Sequence, residues 1–163
     1  MNKVGFLAGW VLVPFLFLTA LPMGYPYSQL PLFWLEENGF LIGIFGKSLA
    51  AGMPVMAWWF FTADLTQLLV GIVIWFFPLI GTILCFAGVN KPPDKGSKIY
   101  MSAFILQLIV IVLFFMDALF LGQIIVSELY SFMGLIESLE IGFWIYAINL
   151  IFILLAAKAY KEN

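Results

Sequence analysis

From Ile99 to Val126 the sequence runs 28 residues with a single charged side chain, Asp117. A membrane helix needs only about 20 mostly apolar residues to cross a hydrocarbon core of roughly 30 Å. Leu65–Gly88 and Ile141–Ala157 carry no charge at all. Three such segments in a 163-residue chain leave little material with which to cover them in water. Composition agrees, because 64% of the residues are hydrophobic and 10% charged, where soluble domains carry about a quarter charged residues. The solvent this sequence expects is lipid.

A fourth apolar segment, Val4–Leu21, follows Met-Asn-Lys and precedes Pro22 and Pro26. That pattern also fits a secretory signal peptide, but we read it as the first transmembrane helix. Lysine near helix ends favours the cytoplasmic side. With four spans, Lys3, Lys91, Lys95, Lys98, Lys158 and Lys161 all fall on one side, while Glu36, Glu37, Asp64, Glu128, Glu137 and Glu140 fall on the other together with Lys47. The expectation is therefore an all-α integral membrane protein: one polytopic domain of four helices, at about 4–21, 65–88, 99–126 and 141–157, with both termini cytoplasmic and an outer cap over 22–64.

Gly39–Phe61 is long enough for a fifth span, which is the alternative topology. Crossing there would carry Lys47 into lipid at a cost of about 2.5–3.5 kcal/mol, and Gly39, Gly43, Gly46, Gly52 and Pro54 weaken an isolated helix. A cap made of an interfacial or re-entrant helix is preferred, with Trp34, Trp58 and Trp59 at the outer aromatic belt.

Several function classes drop out on composition. Seven lysines, no arginine and nine acids give a net charge of −2, so no basic stripe exists to neutralise a phosphate backbone and nucleic acid is excluded as a partner. With no histidine and Cys85 as the sole cysteine, the chain offers no zinc, haem or iron–sulfur ligand set and no disulfide. No cofactor and no metal site are expected. A base beside a nucleophile is also missing, so the chain reads as non-catalytic.

Asp117 is the residue with most to say about chemistry, since a carboxyl at depth in a membrane is costly and commonly turned inward, often on an ion or proton path. If span three ends near Ser127, Asp117 sits roughly 15 Å below that end, within reach of Tyr146 or Asn149. Gln107, Gln123, Asn149 and Thr82 are the other polar groups at depth, and they read as interhelical hydrogen-bonding groups first and as the lining of an ion route second. Gln107 and Asp117 share a face with Val110, Phe114 and Leu121. Gly5 and Gly9 form a Gly-x-x-x-Gly pair that lets a neighbouring helix approach closely. For the helix starts, Ser97 is the expected N-terminus of span three and Glu137 or Ser138 that of span four.

Four spans, a large first outer loop containing Phe33-Trp34-Leu35, a short inner loop and a smaller second outer loop together resemble the claudin-type tetraspan layout. The resemblance is one of arrangement. The cysteine pair of that family's first loop has no counterpart in residues 22–64, so neither the loop's sheet nor a sealing function is expected here. Three functions follow as expectations. The first is a small non-catalytic multi-pass subunit of the cell membrane that assembles through helix packing with lipid and with other membrane chains or copies of itself. The second is an ion- or proton-linked channel or carrier using Asp117, and the third a lipid- or quinone-handling enzyme.

Overall fold

The computed structural model describes residues 1–18, 35–37, 40–43, 46–49, 65–122 and 129–159, with side chains over 1–14, 76–122 and 129–159. Its body is helical: α1 (Lys3–Leu18), α2 (Leu65–Ala87), α3 (Pro93–Met116, continued by a π-helical turn, Asp117–Leu121), the short α4 (Phe132–Ser138) and α5 (Ile141–Ala159). Two of these, Pro93–Leu121 and Ile141–Ala159, are long and apolar enough to cross a membrane by length and composition.

Four helices close into a ring in which α1 packs on α2, α2 on α3, α3 on α5 and α5 back on α1. Every neighbouring pair is antiparallel, as the pairings along each seam require: Asn2 with Val89, Tyr100 with Cys85, Gln107 with Pro78 and then Tyr146, and Ala8 with Asn149. The start of α1, the α2–α3 turn and the end of α5 therefore meet at one end. Inside the ring, Ala8, Leu12, Cys85, Tyr100, Ala103, Val110, Phe114, Phe143, Tyr146 and Ile153 form the core. Interhelical packing by shape and hydrogen bonding is the expected cohesion where the surroundings are as apolar as the side chains.

The structure moves three helix boundaries. The third helix begins at Pro93, not at Ser97, because Pro93 at the first helical position has no N–H to leave unpaired and Pro92 sits extended ahead of it (ψ 152°). It ends at Leu121 rather than Val126, where Gly122 turns left-handed (φ 61°) and its N–H closes on the Asp117 carbonyl at 2.7 Å. The last long helix starts at Ile141, not at Glu137 or Ser138, because both of those belong to α4, which Ser131 starts, its hydroxyl accepting from Gly134 N–H at 3.1 Å.

Residues 35–37, 40–43 and 46–49 depart from the all-α expectation. Leu35–Glu37 (β1), Phe40–Gly43 (β2) and Gly46–Leu49 (β3) pair as a three-stranded antiparallel meander, with Leu35 opposite Ile42 and Ile42 opposite Lys47. A continuous spanning, interfacial or re-entrant helix over this stretch is thus excluded for residues 40–43 and 46–49, and a small sheet forms without the cysteine pair of the claudin arrangement. Glycine at both ends of the second turn, Gly43 opposite Gly46, disfavours helix and suits a tight reversal. Residues 50–64, which carry the rest of the fifth-span alternative, Trp58 and Trp59, lie outside the described residues, as does Trp34.

Candidate functional site

Polar chemistry inside the ring is concentrated in one layer, and the register of the helices builds it. The α2–α3 pairing sets Gln107 against Pro78, and the α3–α5 pairing sets Gln107 against Tyr146. Gln107 Nε2 donates to the Pro78 carbonyl at 3.2 Å, and the Tyr146 hydroxyl donates to Gln107 Oε1. The same Pro78 carbonyl accepts from Thr82 Oγ1 at 2.8 Å. One turn along α5, Asn149 Nδ2 donates to the Ala8 carbonyl of α1 at 3.1 Å. All four helices are joined by this layer, and Thr82, Gln107, Tyr146 and Asn149 are all buried. Asn149 Oδ1 finds no donor among the described residues.

Glycines make room for it. A Cβ on Gly81 would collide with the Gln107 amide, and one on Gly5 with the Tyr100 ring and hydroxyl. Gly9 admits the Phe86 ring, whose atoms would stand 3.1 Å from an added Cβ. Tyr100, near the start of α3, is fully buried, and its hydroxyl donates to the Cys85 carbonyl at 3.0 Å. The small residues of α1 and α2 are what allow a ring this large to cross the centre of the bundle.

Asp117 lies apart from the layer. Ten residues along α3 from Gln107, it is about 15 Å away along the helix axis, buried to 2% exposure, and it begins the π-helical turn. Since the helix closes at Leu121, Asp117 is about 6 Å from the end, less than half the depth that a helix running to Ser127 would give. Tyr146 and Asn149 bond to Gln107 and to the Ala8 carbonyl, at a level of the bundle that Asp117 does not share. The register explains why. Phe114 already stacks near Phe143, at 6.3 Å between ring centres, so the next turn of α3 passes the α4–α5 junction instead of the middle of α5. Tyr130 N–H reaches the Ala118 carbonyl there at 2.9 Å. The wide π turn also breaks the stripe expected on α3: Val110 and Phe114 stay buried, Ala118 joins them, and Leu121 turns outward.

Gln123 falls outside the described residues, as do Glu36, Glu37, Asp64 and Glu128 as side chains. Among the described residues no three of His, Cys, Asp and Glu converge in a way that could hold a metal. Of the described charged side chains, all except Asp117 stand at the two ends of the ring: Lys3, Lys91, Asp94, Lys95, Lys98 and Lys158 at one, Glu137 and Glu140 at the other. Between them the outer faces present large apolar groups, with Ile83 at 57%, Val112 at 49% and Ile151 at 58% exposure.

Compared with protein-family models, with curated proteins and with solved structures, the chain matches none.

Proposed function

We propose that this chain is a multi-pass protein of the cell membrane whose four helices, α1, α2, α3 and α5, cross the bilayer with both termini on the cytoplasmic side, and that it works as a non-catalytic subunit assembled with other membrane chains or with copies of itself. The observation that carries this reading is the division of the bundle's polar and apolar groups. Gln107, Tyr146 and the Asn149 amide nitrogen, which a transport route or a reaction centre would need to leave available, are committed to bonds from helix to helix, and Thr82 bonds back to its own helix. Meanwhile the outside is a belt of exposed isoleucine, leucine and aromatic rings from α1 round to α5. The uncharged run from Ile99 to Met116 covers about 26 Å at 1.5 Å per residue, close to the hydrocarbon thickness.

A protein of this kind solubilised in mild detergent is expected to copurify with a stoichiometric partner or to run as a defined oligomer. A monodisperse lone monomer, unchanged across detergents and concentrations, contradicts the assembly role.

The burial of Asp117 at a π-helical turn favours one second reading, since intramembrane carboxyls and π turns both recur at functional sites. In it, Asp117 is the titrating group of an ion- or proton-linked carrier. Reconstituted vesicles decide between the two: the subunit reading expects the same passive proton and cation flux from the parent and Asp117→Asn proteins, and an active parent silenced by Asp117→Asn favours the carrier.

A further inference from the structure

The lysine end of the ring is more than a collection of solvated side chains, because Asn2 ties three chain segments together there. Its backbone N–H donates to the Val89 carbonyl at 2.9 Å, and its side-chain amide donates to the Ala156 carbonyl at 2.8 Å. Lys3, Lys91 and Lys158 each lie within two residues of one of those three points, and all are exposed. The N-terminal ammonium of Met1 is adjacent. Against Lys3, Lys91, Lys95, Lys98 and Lys158, the described residues at this end supply one carboxylate, Asp94.

Directly below, one and two turns into α1, Phe6 and Trp10 stand with Phe86 of α2 in a closed edge-to-face triad, with ring centres 6.2, 6.0 and 5.8 Å apart. Trp10 is 54% exposed and Phe6 42%. The patch is continuous with the apolar belt, so whatever occupies the lysines also has an apolar part that lies down the side of the bundle. Basic clusters at the cytoplasmic ends of membrane helices attract anionic headgroups, and aromatic rings just inside that level suit the interface.

Resting on the membrane-spanning reading above, we propose that the angle between α1 and α2 binds an anionic phospholipid, its phosphate held between Lys3 and Lys91 and its acyl chains lying over Phe6, Trp10 and Phe86. An acidic protein tail would satisfy the lysines but would have no use for the exposed rings.

The test uses the full chain in vesicles of equal phosphatidylcholine and phosphatidylglycerol, extracted gently and analysed by native mass spectrometry for retained lipid. Phosphatidylglycerol is expected to be retained at least tenfold over phosphatidylcholine. The double variant Lys3→Gln, Lys91→Gln loses that preference, at roughly fivefold for each lysine, whereas Lys95→Gln with Lys98→Gln, in the first turns of α3, keeps most of it. Trp10 fluorescence, taken as the difference from Trp10→Phe, is quenched more by brominated phosphatidylglycerol than by brominated phosphatidylcholine. Equal retention of the two lipids, or equal loss in the two double variants, overturns the site. So does displacement of the lipid by free glycerol phosphate at similar concentration, or binding of soluble polyglutamate in its place. If alkaline carbonate strips the parent chain from vesicles, the membrane reading itself has failed; if the chain stays and shows no lipid preference, only this site has.

Discussion

The two halves of the bundle are held together by different means. From the lysine end to the Gln107 layer, helices meet through fitted contacts: Tyr100 against Gly5 and Gly88, Gln107 against Gly81, Phe86 against Gly9, each with a hydrogen bond or a ring contact nearby. Towards the carboxylate end the contacts are between rings, Phe114, Phe115 and Phe143 at 5.7–6.3 Å, and the backbone itself changes course at the π turn, Gly122 and α4. Rings in offset contact can shift and still pack; a tyrosine enclosed by glycines cannot. The first half is the rigid one, and irregular backbone is concentrated in the second, where Asp117 is.

Substitutions can break that contrast, and the largest effect belongs to Gly5→Ala. The added methyl meets the Tyr100 ring, whose opposite edge already packs closely on Gly88. A loss of about 3 kcal/mol is expected from such overpacking, read as a lowered melting temperature in detergent and partly recovered by adding Tyr100→Ala. Next is Gly81→Ala, at about 2 kcal/mol, because it displaces the Gln107 amide. Its effect should shrink in a Gln107→Ala background, and strict additivity would show that the two do not touch. In the second half, Gly122→Ala costs about 1 kcal/mol by forcing a side chain into a left-handed conformation, with Gly122→Asn milder. Smallest is Ser131→Ala, at about 0.5–1 kcal/mol from the lost cap of α4, visible in hydrogen exchange around Gly134 more than in global melting. If the carboxylate-end variants proved more damaging than Gly5→Ala and Gly81→Ala, the assignment of rigidity to the lysine half would be reversed.

What the sequence made legible follows the length of the signal. Apolar runs of 17 residues or more place α2 and α5 to within about two residues at each end, whereas α3 starts six residues earlier and ends five earlier than its run because Pro93 and Gly122 set its limits. Features set by register were hidden. Asp117 is expected to meet Tyr146 or Asn149 on depth alone, yet the antiparallel alignment fixed by Gln107–Tyr146 and Phe114–Phe143 carries Asp117 past the start of α5. The enclosure of Tyr100 by Gly5 and Gly88 is set by register as well. The stop at Gly122 rests on a left-handed backbone angle that the sequence does not state, and the pairing of Gly43 with Gly46 on a register it does not state either. Asn2, which joins α1 to α2 and α5, gives no signal beyond being a polar residue before a helix.

The central claim is that the ring spans a bilayer with its lysine end on one side and its Glu137–Glu140 end on the other. In a Cys85→Ala background, single cysteines at Lys95, Lys158 and Glu137 are to be labelled in sealed, right-side-out vesicles with a membrane-impermeant maleimide. Lys95→Cys and Lys158→Cys should react only after the vesicles are opened, and Glu137→Cys before. Labelling of Lys95→Cys and Glu137→Cys from the same side contradicts the account.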